Sequence, residues 1–297
     1  MAQLLDGLRV SAEIREAVRV ETAALSASGK PVPGLAVVLV GEDPASRVYV
    51  GRKKKACQEV GFHSLELKLS AETTQSDLLA RVSELNHDSH IHGILVQMPL
   101  PAHIDEHKII EAIDPRKDVD GFHPINVGKL LQGVDGTISC TPGGVIELLH
   151  RYRIELKGKK ALVIGRSNIV GKPMAVLLIR ENATVTIAHS HTKNLEAEIK
   201  ASDIIVAAIG KPRMIRGEWI KQGAVVVDIG MNQIEDLTTE KKTRLVGDVD
   251  FETARERASF ITPVPGGIGP MTIAMLLSNT LKAYKTLTNS PTPLSAL

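Results

Sequence analysis

Lys53 is the residue whose type and position most suggest chemistry, because it is one of three consecutive lysines in a predicted helix. The helix is expected to begin after Asp43, a good N-cap that precedes a proline, and to end before Gly61. Residues three, four or seven apart on a helix share one face. Four residues of this segment therefore lie on the same side: Tyr49, Lys53, Ala56 and Val60.

Lys54 and Lys55 are turned away from that face, since each helical residue advances by about 100°. A lysine withdrawn from water has a lowered pKa and can exchange protons near neutral pH. Lys53 is accordingly a candidate acid–base residue. The alternative, usual for a basic run, is that all three lysines are solvated.

Two polar clusters follow apolar segments in the first half of the chain. Gln97 ends the apolar run 93–96 and is either an ordinary strand-end residue or part of a site at the carboxyl end of a parallel strand. Asp118 and Asp120 stand in the acidic segment Asp-Val-Asp-Gly. Paired acids beside a glycine form a turn in most proteins and a metal site in some, and no metal site is predicted here.

A strand, a glycine turn and a helix are predicted over residues 159–180. This arrangement directs backbone N–H groups and the positive end of a helix dipole at a phosphate. The turn departs from G-x-G-x-x-G because Ser167 stands between Gly165 and Gly171. It is not a P-loop, since five residues separate the glycines and Lys172 is followed by proline. A structural turn without a ligand is the alternative to dinucleotide binding.

The next predicted strand favours NADP over NAD. NAD-binding proteins carry an acid about 20 residues after the first glycines, which holds the ribose 2′-hydroxyl. Here residues 184–191 contain no acid, and Ser190 with its flanking histidines tolerates a 2′-phosphate. Arg166 can supply positive charge. Glycine-containing segments at Gly210 and Gly230 follow later strands and strengthen the dinucleotide prediction.

The segment 262–272 is too specialised for a plain linker. Its prolines fix φ, while its glycines permit close approach of the backbone to a ligand. Pro265, Gly266 and Gly267 are therefore candidate ligand contacts at the start of the last predicted helix.

Composition indicates a globular protein of two domains. The chain has 297 residues, of which 43% are hydrophobic and 24% charged, and its net charge is +2. This balance argues against nucleic acid or an acidic membrane as a partner, and neither a membrane span nor a secretory signal is visible. The two cysteines, Cys57 and Cys140, form no disulfide framework or zinc motif, and Cys57 is expected to be buried. A cytoplasmic location is predicted.

Apolar β-branched runs alternate with amphipathic stretches along the chain, which predicts parallel sheets covered by helices on both faces. We expect an α/β fold of two α/β domains, the second a Rossmann-like doubly wound parallel sheet, with a cleft between them. The first domain is predicted over 1–141 and 271–297, and the second over 142–270. The predicted strands are 35–40, 93–96, 161–164, 184–188, 204–209 and 224–229, and the predicted helices are 46–60, 75–85, 143–152, 170–180, 194–200 and 271–287.

Five motifs in register resemble the bifunctional methylenetetrahydrofolate dehydrogenase/methenyltetrahydrofolate cyclohydrolase family. They span the chain from Leu5 to about Tyr284, and the likeness is to the bacterial form without the ligase domain fused to some relatives. The motifs are Tyr49-x-x-x-Lys53, Val96-Gln-Met-Pro-Leu-Pro101, Lys117-Asp-Val-Asp-Gly121, Gly165-Arg-Ser-x-x-Val-Gly-x-Pro173 and Pro263-Val-Pro-Gly-Gly-Ile-Gly-Pro-Met-Thr272.

The resemblance implies two reactions at one site. Methylenetetrahydrofolate transfers a hydride to NADP⁺, and water then opens the methenyl cation to 10-formyltetrahydrofolate. Lys53 would be the main acid–base group of the second step, assisted by Gln97. Tyr49 would stack on the folate and Asp120 would hold the pterin ring, with Pro265, Gly266 and Gly267 as further substrate contacts.

The resemblance also implies tetrahydrofolate derivatives and NADP as ligands, and a homodimer joined through the nucleotide domain. Two rival hypotheses are an amino-acid or hydroxy-acid dehydrogenase with the same plan, and a catalytically silent folate- or nucleotide-binding protein. Amino-acid and hydroxy-acid dehydrogenases lack the Tyr-x-x-x-Lys helix, and a silent binding protein would be expected to have lost Lys53 or Asp120. The predicted cofactor contacts are Thr141, Gly165, Arg166, Ser167, Val170, Ser190, Gly210, Ile229 and Gly230.

Overall fold

The computed structural model of the protein describes residues 1–236 and 242–289, apart from the side chains of residues 44–46, 48 and 289. The chain divides into two compact units. The three-stranded unit consists of Glu13–Cys140 and the chain from Ile273 onward, and the six-stranded unit consists of Met1–Ala12 and Thr141–Thr272. Of the predicted segment 271–297, residues 290–297 lie outside the described part.

Helices and strands alternate along most of the chain. The described α-helices are α1 (Gly7–Ala27), α2 (Pro44–Val60), α3 (Gln75–His87), α4 (Glu106–Ala112), α5 (Pro124–Gln132), α6 (Cys140–Arg151), α7 (Gly171–Arg180), α8 (Leu195–Lys200), α9 (Phe251–Ala254) and α10 (Ile268–Asn289). The described strands are β1 (Gln3–Leu4), β2 (Gly34–Val40), β3 (His63–Leu69), β4 (Gly93–Val96), β5 (Lys160–Ile164), β6 (Thr184–Ala188), β7 (Ile204–Ala207), β8 (Val225–Asp228), β9 (Asn232–Glu235), β10 (Thr243–Val246) and β11 (Phe260–Ile261).

The three-stranded unit is built on a parallel sheet in the order β3-β2-β4. Every residue of the central strand β2 is buried, because alternate side chains enter two different cores. Leu35, Val37 and Leu39 pack with residues of α2 and α10, while Ala36 and Val38 pack with residues of α3. The sheet is thus covered on both faces, as the continuous apolar run predicts.

The six-stranded unit has the strand order β1-β11-β8-β7-β5-β6 among the described residues, and all of these pairs are parallel. The chain passes from β5 to its neighbour β6 and then crosses back to β7 on the other side of β5. Strand order therefore reverses at the carboxyl ends of β5 and β7, where open α/β sheets bind ligands. The prediction of a Rossmann-like doubly wound sheet is confirmed.

The first residues of the chain complete this larger sheet. β1 pairs in parallel with β11, and the N–H of Leu5 donates to the carbonyl oxygen of Ile261 at 2.8 Å. This pairing groups residues 1–12 with the six-stranded unit, whereas the predicted domain 1–141 includes them. The strands β9 and β10 form a separate antiparallel pair.

All six predicted strands and all six predicted helices are present, with ends shifted by a few residues. Several elements were not predicted, chief among them α1 and β3. α1 carries buried residues at a spacing of four, at Val10, Ile14 and Val18. β3 is an edge strand of alternating sequence that is only partly buried, so it lacks the continuous apolar run of the central strands.

Candidate active site

Burial distinguishes Lys53 from the other two lysines of its run in α2. The side of the helix that faces the core holds Val50, Cys57 and Val60, and Lys53 lies there with only 9% of its surface exposed. Lys54 is exposed and pairs with Glu66 at 3.0 Å. The prediction that one lysine of the run lies on the apolar face is confirmed. α2 begins at Pro44 and ends before Gly61, whose φ of 77° suits glycine at this position.

Gln97 is the direct partner of Lys53. The Nζ of Lys53 donates to Oε1 of Gln97 at 3.0 Å. The amide is itself oriented, because its Nε2 donates to the carbonyl oxygen of Met98 at 2.7 Å. The backbone N–H of Gln97 donates to the carbonyl oxygen of Val38 at 2.8 Å, which extends the pairing of β2 and β4 by one residue. The strand end therefore holds the lysine in one orientation and uses one of its three donors.

Asp120 belongs to the same cluster. Burial raises the pKa of its carboxyl group to about 6, against the opposing effect of the Lys53 charge. The thiol of Cys140 donates to the carbonyl oxygen of Val119 at 3.2 Å, directly before Asp120 in the chain. The charge of Lys53 thus lies close enough to Asp120 to lower the pKa of this carboxyl group.

Tyr49 lies one helical turn before Lys53 and is partly buried. Burial raises the pKa of its phenol, so the hydroxyl stays protonated and the ring offers a neutral stacking surface. The three-stranded unit therefore brings together Lys53, Gln97 and Asp120, with Tyr49 on the same helix face.

Asp118 has a different role from Asp120. It is 2% exposed, and its carboxylate accepts hydrogen bonds from the N–H groups of Gly121, Phe122 and His123 at 3.0, 3.3 and 2.9 Å. The Nδ2 of Asn126 donates to it at 2.8 Å. These bonds fix the turn that carries Asp120, which agrees with the predicted turn.

Both cysteines are buried and free. Cys57 is fully buried, as predicted, and burial raises the pKa of its thiol to about 12. Burial also raises the pKa of the Cys140 thiol well above its ordinary value. Neither thiol is suited to act as a nucleophile, since the thiolate is the reactive form.

The predicted cofactor residues of the six-stranded unit follow neighbouring strands. Ile164 of β5 is paired with Ala188 of β6, so Arg166 and Ser190 each stand two residues beyond a paired position. Both are exposed. The same edge carries Gly210 after β7 and Gly230 after β8, since these strands are the next neighbours in the sheet.

The glycine turn after β5 requires glycine at both of its ends. Gly165 has a φ of 129°, and a Cβ there would lie 2.3 Å from the carbonyl oxygen of Ala208. A Cβ on Gly171 would lie 2.2 Å from the carbonyl oxygen of Gly165. The Oγ of Ser167 accepts from the N–H groups of Val170 and Gly171 at 3.1 and 3.3 Å. Ser167 thus binds the first two amides at the start of α7. The turn stays tight although serine stands in place of the glycine of the standard motif.

This turn fits a dinucleotide. Its tight course and the N-terminus of α7 stand at the point where strand order reverses, which is where such sheets bind pyrophosphate. In the segment after β6, which contains no acid, the imidazole rings of His189 and His191 meet edge to face with centroids 5.9 Å apart.

Four further predicted residues, Thr141 and the loop residues Pro265, Gly266 and Gly267, lie elsewhere in the six-stranded unit. Thr141, near the start of α6, hydrogen-bonds through its hydroxyl to that of Thr272 at 2.9 Å. Pro265 is exposed, and the carbonyl oxygen of Gly266 accepts from the N–H of Leu8 at 3.1 Å. A Cβ on Gly267 would lie 2.7 Å from the carbonyl oxygen of Pro263, so the loop after β11 also depends on glycine.

Sequence reasoning missed two buried acids near the predicted cofactor loops. Asp228 ends β8 and is 3% exposed, and Asp248 is fully buried. Burial raises the pKa of Asp228 to about 7. The available signal was the segment Gly-Asp-Val-Asp over 247–250, an acid directly after a glycine and an apolar strand.

Over residues 1–236 and 242–289, no three His, Cys, Asp or Glu side chains are grouped so that they could hold a metal ion. In the same part of the chain, no helix combines the length and the apolarity needed to cross a membrane.

Known proteins resemble the chain along nearly its whole length. The bifunctional protein FolD of Halothermothrix orenii is 55% identical over 287 residues, which are 96% of this chain and 99% of that protein. The crystal structure of the FolD methylenetetrahydrofolate dehydrogenase/cyclohydrolase from Campylobacter jejuni matches with a TM-score of 0.92 and 49% identity, covering 97% of this chain and 100% of the other. The Trypanosoma brucei enzyme, solved with NADP cofactor and an inhibitor, matches with a TM-score of 0.94 and 41% identity over 97% of this chain and 99% of the other.

Two family models divide the chain between them. The model of the tetrahydrofolate dehydrogenase/cyclohydrolase catalytic domain matches residues 5–120, which include Tyr49, Lys53, Gln97 and Asp120. The model of the NAD(P)-binding domain of the same family matches residues 139–288, which include the glycine turn after β5. The chain belongs to the tetrahydrofolate dehydrogenase/cyclohydrolase family.

Proposed function

We propose that the protein oxidises 5,10-methylenetetrahydrofolate to the 5,10-methenyl cation with NADP⁺, and then hydrolyses this cation to 10-formyltetrahydrofolate. The observation that carries the proposal is the buried Lys53, which is hydrogen-bonded to Gln97 at 3.0 Å and whose charge lowers the pKa of Asp120. This trio lies within the segment that matches the family's catalytic domain. One-carbon folate metabolism is the process that such an enzyme serves.

Asp120 is proposed to hold the pterin. A carboxylate can accept two hydrogen bonds from adjacent N–H donors, and a pterin ring presents such a pair. Tyr49 supplies a partly buried aromatic surface on which the ring system can stack. Pro265, Gly266 and Gly267 are proposed as further folate contacts, since their loop combines an exposed proline with a closely approached backbone.

Hydride transfer requires no base on the protein. The nitrogen lone pair of the folate pushes the hydride from the one-carbon bridge and leaves a delocalised cation. NADP⁺ would supply the hydride acceptor. The task of Asp120 and Tyr49 in this step is to orient the folate, because reacting atoms must be held in contact for rapid transfer.

The hydrolytic step requires proton transfers. Water adds to the methenyl carbon and loses a proton, and the C–N bond to N5 then breaks as N5 gains a proton. Lys53 is proposed to take the proton from water and return it to N5. The Oε1 of Gln97 directs the Nζ of Lys53 and keeps it in place between the two transfers.

NADP is proposed to bind at the carboxyl edge of the six-stranded sheet. Arg166 and Ser190 stand at equivalent positions beyond paired strands and would receive the 2′-phosphate. The turn of Gly165, Ser167 and Val170 would receive the pyrophosphate at the N-terminus of α7. Thr141, Gly210, Ile229 and Gly230 are proposed as the remaining contacts.

The protein is further proposed to be a cytoplasmic homodimer. The family resemblance supports this assembly, joined through the nucleotide domain. Light scattering coupled to size-exclusion chromatography measures it directly, and a mass near that of a single chain at micromolar concentration would contradict it.

Absorbance spectroscopy during turnover tests the proposed function. With methylenetetrahydrofolate and NADP⁺, NADPH should accumulate while methenyltetrahydrofolate remains low, and added methenyltetrahydrofolate should decay without any nucleotide. Turnover of a 2-hydroxy acid or an amino acid without turnover of the folate would favour the dehydrogenase alternative. Binding of folate and NADPH without either reaction would favour a silent binding protein.

A further inference from the structure

The carboxylate of Asp248 accepts hydrogen bonds from the backbone of the loop after β7. Asp248 is fully buried. Its Oδ2 accepts from the N–H groups of Ile209 and Gly210 at 2.7 and 3.0 Å, and its Oδ1 accepts from the N–H of Lys211 at 2.9 Å. Three consecutive amides of one loop therefore converge on a single side chain, and hydrogen bonds to a charged acceptor are about twice as strong as neutral ones.

The same carboxylate is tied to the loop after β8. Its Oδ1 also accepts from the Nδ2 of Asn232 at 2.9 Å. Asp228, the last residue of β8, accepts from the N–H of Asp248 at 3.0 Å and from that of Gly230 at 2.9 Å. The two acids thus join the loop that carries Gly210 to the loop that carries Gly230.

The packing around these acids leaves no room for a side chain at the two neighbouring glycines. A Cβ on Gly230 would lie 2.3 Å from Cγ of Asp248, and a Cβ on Gly247 would lie 1.8 Å from Oδ2 of Asp228. Glycine at both positions lets the backbone approach the carboxylates directly. The geometry of the two loops is consequently set by the acids.

We propose that Asp248 is a positioning residue for the dinucleotide, which holds the loops of Gly210 and Gly230 in the shape that the cofactor contacts. The inference rests on the proposed function, since NADP is the ligand assigned to this edge. Asp248 is buried beneath the loops and acts through their backbone. Its effect should therefore fall on cofactor binding and leave the cluster of Lys53, Gln97 and Asp120 unchanged.

Asp248→Asn is the direct test, because it keeps the shape of the side chain. Each oxygen of Asp248 accepts from two donors, so either orientation of the amide sets its NH₂ group against two donors that lose their acceptor. Asp250→Asn is the matched control. It is the same substitution two residues further on, where the acid precedes α9 and makes no side-chain capping bond.

The readouts are the Kd for NADPH, the KM and kcat of the dehydrogenase, and cyclohydrolase activity measured without nucleotide. Asp248→Asn should raise the Kd for NADPH and the KM for NADP⁺ about tenfold to 100-fold, since bonds to a charged acceptor are lost. Its cyclohydrolase activity should stay within twofold of the wild type. Asp250→Asn should stay within twofold in every assay.

Two results would overturn the positioning role. One is a folded Asp248→Asn protein with wild-type affinity for NADPH, and the other is an equal loss of both activities, which would mark a general structural residue. If Asp248→Asn does not fold, Asn232→Ala removes only one donor. It should raise the Kd about threefold to tenfold with cyclohydrolase activity retained, and an unchanged Kd would refute the role. A wild-type chain that does not bind NADPH would instead refute the proposed cofactor.

Discussion

Lys53 differs from Lys54 and Lys55 in its surroundings and not in its side chain. Helical geometry directs it to the face that holds Val50 and Cys57, where a hydrated ammonium group cannot be accommodated fully. The Oε1 of Gln97 replaces part of its hydration. A buried side chain with one fixed acceptor can hold its nitrogen in a defined place beside a substrate, whereas a solvated lysine has no such fixed position.

Lys53→Met should remove cyclohydrolase activity while folate still binds. Methionine has a similar length and fills the buried position, but it cannot accept or donate the protons of the hydrolytic step. Positioned acid–base catalysis contributes ~100- to 10,000-fold, and a loss of at least that size is expected. The dehydrogenase should lose less, because hydride transfer needs no protein base. Decay of methenyltetrahydrofolate absorbance measures the first activity and NADPH formation the second.

Lys54→Met is the matched control for this prediction. Lys54 is exposed and pairs with Glu66, and surface ion pairs contribute little to stability. Both activities should therefore remain near those of the wild type. The mechanism would be abandoned if Lys53→Met kept full cyclohydrolase activity, or if Lys54→Met were the impaired variant.

The raised pKa of Asp120 predicts that the affinity for folate depends on pH. Burial raises the pKa of its carboxyl group to about 6, so the group is protonated in the free protein at lower pH. A protonated carboxyl cannot accept both hydrogen bonds from the pterin, and its proton must be released before binding. Folate affinity should accordingly rise with pH up to about 6, by up to tenfold per pH unit, and become constant above it. Fluorescence titration between pH 5 and 8 measures this dependence.

Asp120→Ala should abolish that pH dependence and weaken folate binding in both reactions. A contact to a charged group is worth ~1.5–3 kcal/mol, or roughly tenfold to 150-fold in affinity. Asp118→Ala should act differently, because Asp118 accepts four hydrogen bonds within the turn and its loss lowers the free energy of unfolding. Selective loss of folate affinity in the Asp118 variant, with the Asp120 variant unaffected, would show that the wrong acid was chosen.

At the scale of elements, most of the candidate site could be predicted from two regularities. The helical repeat of α2 separates Lys53 from its neighbours, and the buried strand β4 ends at Gln97, where ligands of parallel sheets bind. Local spacing within one segment is enough for both statements. The hydrogen bond between these two residues was not predictable from spacing, since it joins segments 44 positions apart.

The strands that were missed lack a strong local signal. β3 lies at the edge of its sheet with every residue either partly buried or exposed, and β1 and β11 have two residues each. Asp248 was missed for a different reason, because its three loop donors lie 37 to 39 positions earlier in the chain. Only the folded chain brings these donors to one carboxylate.

Arg166→Ala tests the glycine turn as the determinant of cofactor choice. The pairing of Ile164 with Ala188 places Arg166 and Ser190 at corresponding positions beyond β5 and β6. Loss of the guanidinium should raise the KM for NADP⁺ by roughly tenfold or more and that for NAD⁺ much less, since only NADP⁺ carries the 2′-phosphate. Steady-state kinetics with both cofactors measures the ratio.

Lys172→Ala provides a control cation from the same segment. The Nζ of Lys172 is bonded to Oδ1 of Asn168 at 2.7 Å, so the charge is held within α7 and its preceding turn. The ratio of the two KM values should change little in this variant. Equal effects of Arg166→Ala on NADP⁺ and NAD⁺ would refute the assignment of the 2′-phosphate.

At the scale of the whole molecule, each compact unit has its own apolar core. The three-stranded unit holds the cluster of Lys53, Gln97 and Asp120, and the six-stranded unit holds the glycine turn and the two buried acids Asp228 and Asp248. The two family models divide the chain at nearly the same place, between residues 120 and 139, although the model of the NAD(P)-binding domain also covers residues 273–288 of the three-stranded unit. Since the hydrolytic step uses no nucleotide, substitutions in the six-stranded unit can be scored by whether they spare cyclohydrolase activity.

Asp228 makes the stability of the molecule depend on pH. Burial raises the pKa of this carboxyl group to about 7, well above the pKa of an aspartate in an unfolded chain. Between about pH 4 and 7 the folded protein therefore holds a proton that the unfolded chain has released. The contribution of this group to stability is complete at low pH and is lost as the pH rises to 7, by up to ~1.4 kcal/mol per pH unit.

Comparison with Asp228→Asn isolates this effect from the other carboxylates. The variant should be less stable, because an amide cannot accept from all three backbone N–H groups that Asp228 binds, those of Gly230, Asp248 and Val249. The stability advantage of the wild type should nevertheless shrink steadily from pH 5 to 7 and stay constant above pH 7, because only the wild type carries the titrating group. Urea unfolding at several pH values measures the difference. A constant difference from pH 5 to 8 would show that Asp228 is ionised throughout and that its three hydrogen bonds outweigh its burial.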